Sequence, residues 1–347
     1  MNMNKKGVAY SVVAIVALLG VLGVAIWSAY QLSVGGVGPT VTKRTAEDMA
    51  VAKLENTKLL VGQALRFGAM ESSMQVASQG GTKEAVTYWY CNGEPTPPEL
   101  EEVEFAISNK SLAYVNAYIK TLKDDEEFKK MGVEVSEYDC VGIYPPEKDV
   151  CLVEDCEHFD TGVSGGFIDV KEPAKATYSS GIETTEYPTR FWTHYYRLYD
   201  FFKSKKIFNI IINSIQRQCP GPELPVQKAR VAMEDVCDQI EQLLDPEYVE
   251  CKVIELCEPD DVSCLNAPCE RYFDEELCFK KAIFSGGEEQ FPGERISAQG
   301  EGVTMRVKFE ITDHKFKPLA KEDVQWNLYA VFEIGETECV PIDSVKT

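Results

Sequence analysis

Histidine is scarce in this chain, with only His158, His194 and His314 among 347 residues. No H-E-x-x-H, no G-x-S-x-G, no phosphate-binding glycine loop and no EF-hand loop occurs, so the hydrolase, nucleotide-binding and calcium-binding classes that carry those signatures have no support. Basic residues are also short, 35 against 56 acidic ones, for a formal net charge of −21. Such a balance argues against nucleic-acid partners and against adhesion to anionic lipid. Carboxylates are so plentiful that no pair stands out as an acid/base dyad. Glu258-Pro-Asp260-Asp261 is an acidic turn without calcium-loop spacing. There is no internal repeat. The residues imply no cofactor.

One long uncharged run is present. From Val8 to Tyr30 no side chain carries a charge and nearly all are apolar or small. A bilayer core needs about 20 such residues in a helix, whereas the apolar part of a cleaved signal needs about 7–15. No small-x-small cleavage site comes after it, and Trp27 and Tyr30 fall where an interfacial aromatic belt would sit. Lys5 and Lys6 precede the run, and the next cations are Lys43 and Arg44. The charge asymmetry keeps the N-terminus cytoplasmic and sends the rest of the chain across the membrane. The expected organisation is therefore residues 1–7 cytoplasmic, 8–30 a transmembrane anchor, 31–44 a linker and 45–347 an extracytoplasmic domain.

The opening Met3-Asn-Lys-Lys-Gly7, succeeded at once by an apolar helix, resembles archaeal type IV pilin-like precursors with class III signal peptides. The resemblance covers about the first thirty residues. It implies cleavage after Gly7 and packing of the exposed helix into a filament core. Val12 stands where that family commonly carries a glutamate.

Cysteine use agrees with the orientation. The twelve cysteines are Cys91, Cys140, Cys151, Cys156, Cys219, Cys237, Cys251, Cys257, Cys264, Cys269, Cys278 and Cys339, all on the side assigned outside. An even count in one oxidising compartment predicts up to six disulfides that supplement a core. Cys237 is a candidate partner for Cys219 or for a residue of the Cys251–Cys257 segment. The competing chemistry is zinc at Cys151, Cys156 and His158, but the tight C-x2-C pairs of structural zinc sites are missing. Asn109-Lys-Ser111 is the one N-glycosylation triplet.

The pattern predicts an α+β fold: the anchor, then a disulfide-stapled ectodomain of amphipathic helices packed on a small antiparallel sheet. Thr45 reads as the cap of a helix with a Val51, Leu54, Lys58, Val61, Leu65 stripe, ended by Gly80-Gly81. Ala85 to Tyr90 reads as a strand. Thr96-Pro-Pro-Glu99 reads as a second helix start, with proline at the first helical position. Residues 133–186 form a loop-rich or small-sheet insertion. Phe191, Tyr195 and Tyr199 recur at helical spacing, with Thr189 as cap, and predict a core helix in preference to a sugar-stacking face. His194 falls among them as a packed histidine. Another amphipathic helix runs from Val226 to about Leu244, and Tyr248 to Cys257 reads as a strand. Residues 302–340 alternate with period two and predict a hairpin with one buried face.

Three functional classes fit these features. The leading one is a single-pass cell-surface protein with a structural, adhesive or partner-binding role. Protein partners or self-association would act at the surface, and the membrane would be contacted through Val8–Tyr30. The others are a pilin-like filament subunit and a membrane-tethered enzyme acting on envelope polymers.

Overall fold

The computed structural model describes residues 43–82, 87–91, 94–184, 190–204, 206–217, 225–255, 303–315 and 324–334. The anchor segment Val8–Tyr30 and the acidic turn at 258–261 lie outside them. Among the described residues no helix is long and apolar enough to cross a membrane.

The fold is α+β, with three sheets where one is expected. Helix α1 (Lys43–Ser78) is followed by strands β1 (Tyr88–Cys91) and β2 (Glu94–Pro95). Next come α2 (Leu100–Asp124) and the short α3 (Glu126–Lys130). Within residues 133–184 lie β3 (Val133–Val135), β4 (Cys140–Tyr144), α4 (Lys148–Val153), β5 (Asp160–Ser164), β6 (Ile168–Val170), β7 (Ala176–Tyr178) and β8 (Ile182–Thr184). The rest comprises α5 (Phe191–Lys203), α6 (Lys206–Arg217), α7 (Pro225–Leu244), β9 (Val249–Glu255), β10 (Val303–Asp313) and β11 (Val324–Ile334).

The largest sheet has the order β2-β1-β11-β10-β9, and β1 runs parallel to β11, so it is mixed. The period-two alternation of the hairpin is what builds it. Phe309 pairs with Leu328 and Ile311 with Trp326, and all four are fully buried on one face. Thr304, Arg306, Lys308 and Glu310 are the polar set of that alternation, which the period assigns to the wet face, but Arg306 is buried and lies beside the Tyr88 hydroxyl. Two three-stranded antiparallel sheets, β3-β6-β7 and β4-β5-β8, occupy residues 133–184 and pack against α1.

Several local expectations shift. Helix α1 starts at Lys43, so Thr45 lies within its first turn and does not cap it. Its buried stripe runs through Ala50, Thr57, Val61, Leu65, Ala69 and Val76, while Val51 is 52% exposed. The first strand is described from Tyr88, and Ala85 and Val86, its expected start, lie outside the described residues. The start of α2 moves past both prolines: Glu99 is the cap, and its N–H donates to the Glu102 carboxylate at 2.8 Å. Pro98 explains the move, because a residue preceding proline is pushed out of the helical region, and Pro97 is that residue. Thr96 serves the sheet and has no helical role; its hydroxyl donates to Tyr88 O at 3.0 Å.

Gly80 and Gly81 end α1 with φ of +84° and +102°. A Cβ on Gly80 would lie 2.9 Å from the Asn327 carbonyl oxygen. Gly80→Ala should therefore cost about 1–3 kcal/mol in urea unfolding. Gly162→Ala is the control: with no atom nearer than 3.6 Å, it should stay within about 0.5 kcal/mol.

Candidate functional site

Helix α5 is buried on most of its surface. Phe191, Trp192, Tyr195, Tyr196, Leu198, Phe201 and Phe202 are all buried, so its aromatics are packing and offer no open face to a sugar. Trp326 meets Phe191 at 4.7 Å and Trp89 at 6.2 Å between ring centroids. Only Tyr199 reaches the rim, where its hydroxyl donates to the Glu99 carboxylate at 2.6 Å. The cap expected at Thr189 lies outside the described residues, and Arg190 occupies the cap position.

That placement makes Arg190 the hub of a charged junction. Its side chain is 1% exposed. Nη1 donates to Asp313 Oδ2 at 3.1 Å, Nη2 donates to Asp245 Oδ2 at 3.1 Å, and Nε lies 3.1 Å from Asp155 Oδ2. Arg197, two turns along α5, donates to Leu244 O at 3.0 Å and pairs with Asp155 Oδ1 at 3.2 Å. Lys315 reaches Asp155 at 3.3 Å, and its backbone N–H donates to Asp313 Oδ1 at 2.9 Å. Three cations thus face three carboxylates, and four elements meet: the segment after α4, the start of α5, the end of α7 and the end of β10.

The environment sets each charge. Burial pushes Asp155 up, but Arg190, Lys315 and Arg197 outweigh it and hold its carboxyl below the usual range. Burial dominates at Asp313 and leaves it above its ordinary value despite Arg190. His194 is fully buried, with Nε2 3.2 Å from Asp313 Oδ2, and neither ring nitrogen is aligned on a hydrogen-bond partner among the described residues. Burial first, then Arg190 and Arg197, lowers its pKa to about 3.

One wall of this junction borders a cleft of about 630 Å³. Leu152, Phe201, Lys206, Gln242, Leu243 and Leu244 complete its lining with Asp155, Arg190, Arg197, Asp200 and Asp245. The volume is within the range of small-ligand sites. Its carboxylates are all ion-paired, Asp200 with Lys148, so none is set up as a general base.

The cysteines expected to bridge do so where they are described. Cys151 bonds Cys156 and Cys237 bonds Cys251, with Cα–Cα distances of 5.0 and 5.5 Å. Cys91 and Cys140 are also disulfide-bonded. Of the two partners considered for Cys237, the chosen one ties α7 to the edge strand β9. Cys219, Cys257, Cys264, Cys269, Cys278 and Cys339 lie outside the described residues. The zinc alternative loses its donors, since bonded Cys151 and Cys156 offer no thiolate and His158 is exposed. Among the described residues no group of three metal-ligating side chains converges. Asn109 is exposed in mid-α2, but Ser111 of its triplet is fully buried. His314 is exposed, 3.7 Å from Glu250.

Sequence reasoning missed the junction itself. Its members are 55 and 123 positions from Arg190, in the cases of Asp245 and Asp313. No local spacing links them. The one available signal was an arginine directly before a helix too apolar to be exposed. No protein-family model, no curated protein and no solved structure matches the chain.

Proposed function

We propose that the chain is a single-pass, N-terminally anchored cell-surface protein whose disulfide-stapled α+β domain has a structural, adhesive or partner-binding role. The observation that carries this reading is the state of the cysteines: every one among the described residues is disulfide-bonded. Disulfides persist in oxidising compartments outside the cytoplasm. That is the side to which Lys5, Lys6 and the uncharged Val8–Tyr30 run assign the domain. The neutralised cleft supports a binding or structural role over catalysis, because an envelope enzyme needs an unpaired acid or base within reach of substrate.

A second reading is a type IV pilin-like subunit cut after Gly7. Met49, Val51, Leu59 and Phe67 on α1 favour it, since the helix nearest the anchor carries apolar side chains that stay 40–59% exposed among the described residues. One experiment reads both. Membrane-bound protein is alkylated without reduction and its intact mass is measured. The anchored reading expects no added alkyl groups and Met1 to Gly7 retained; the filament reading expects those seven residues lost. Alkylation of all twelve cysteines before reduction would overturn the exterior placement.

A further inference from the structure

We infer that the Arg190–Asp313–His194 junction is an acid-released latch. In excess protons, the start of α5 lets go of the ends of α7 and β10, and the wall of the cleft opens to water. His194 is fully buried with its Nε2 against Asp313, and among the described residues neither nitrogen has an aligned partner to hold a proton. The groups facing it are Arg190 and Arg197 from α5, Asp155 from the segment after α4, and Asp313 and Lys315 from the end of β10. Asp245, after α7, acts through Arg190. Two arginines beside a dry imidazole exclude the imidazolium, so the closed junction holds His194 neutral.

An open junction places no such penalty on the ring. A histidine in water binds a proton near pH 6.5, whereas His194 in the closed junction does so only at about 3. Because the folded value is the lower one, the advantage of the closed state is whole above pH 6.5 and shrinks as pH falls towards 3. Asp155, held below the usual carboxylate range, stays ionised through the upper part of that window. Asp313, held above it, works in the opposite sense. Arg190, Arg197, Asp155 and Asp245 line the cleft themselves, so their separation enlarges it. Opening is local, because the junction joins element ends and leaves the α1–α2 packing and the β10–β11 ladder intact.

Hydrogen exchange of the full chain at pH 7.5 and 5.0, corrected for intrinsic chemical exchange, tests the latch. With a ring that protonates near pH 6.5 only when the junction is open, opening measured on peptides covering 190–203 and 242–249 should rise about 30-fold at pH 5.0. Peptides of α2 should show no such rise. In His194→Gln, which keeps Asp313 and removes the titrating ring, the increase should disappear. Equal increases in α5 and α2 would mean that acid loosens the whole fold and would overturn the latch. So would an unchanged response in His194→Gln. If that variant does not fold, a ring-proton titration of His194 in the native chain decides: a midpoint near 6.5 in the closed state removes the driving force, and an imidazole still neutral at pH 5 supports it.

Discussion

Replacing Arg190 with methionine is expected to lower the free energy of unfolding by about 3–5 kcal/mol at neutral pH, as removal of one partner from a buried ion pair does. Asp313 would remain 1% exposed with no guanidinium opposite it, and Asp155 and Asp245 would keep only Arg197 and Lys315. The loss should shrink on acidification. Burial already holds the Asp313 carboxyl above its ordinary value, and without Arg190 it rises further, so protonation removes the orphaned charge. Arg190→Lys should rescue little, because one ammonium cannot reach three carboxylates in three directions as a guanidinium does. The double variant Arg190→Met with Asp313→Asn should recover much of the stability, since the cost lies in the uncompensated charge. Urea unfolding of the four proteins at pH 7.5 and 5.0 checks all of this. A single-variant loss below about 1 kcal/mol, the worth of an exposed pair, would show the junction to be an ordinary surface network.

Trp326→Ala should cost a comparable 3–5 kcal/mol, roughly the usual result of emptying a buried aromatic site. Trp326 is fully buried where the hairpin meets α5, in contact with both Phe191 and Trp89. Its indole N–H has no hydrogen-bond partner among the described residues, so Trp326→Phe gives up volume and no hydrogen bond. Trp89 differs: its N–H donates to Gly80 O at 2.6 Å. Trp89→Phe should therefore lose about 1 kcal/mol more than Trp326→Phe, the net worth of a buried hydrogen bond. Equal costs for the two phenylalanine variants would refute that assignment of the Trp89 bond.

Both predictions concern contacts of long sequence separation, which no local pattern along the chain announces. The hairpin was legible because side chains on a strand alternate, so Val307, Phe309 and Ile311 declare their common face without reference to any partner. The α5 helix was legible for the same kind of reason, through the spacing of Phe191, Tyr195 and Tyr199. Arg306 was misplaced because a two-residue period says nothing about what covers the second face of the sheet. The start of α2 was misplaced by a rule read too locally, since Thr96 resembles a cap until the effect of Pro98 on Pro97 is included.

By itself, the sequence determined the uncharged segment and the orientation expected of it, the mixed helical and strand content, the pairing chemistry expected of the cysteines and the core role of α5. Each of these comes from composition or from a period along the backbone, which local sterics and hydrophobicity set. Only the tertiary structure decided that Cys237 meets Cys251, that β1 joins the hairpin in parallel, and that Arg190 gathers Asp155, Asp245, Asp313 and, through the last, His194. Those are choices of partner across the chain. Burial made them, because charges and thiols removed from water take whichever partner the packed elements bring within reach.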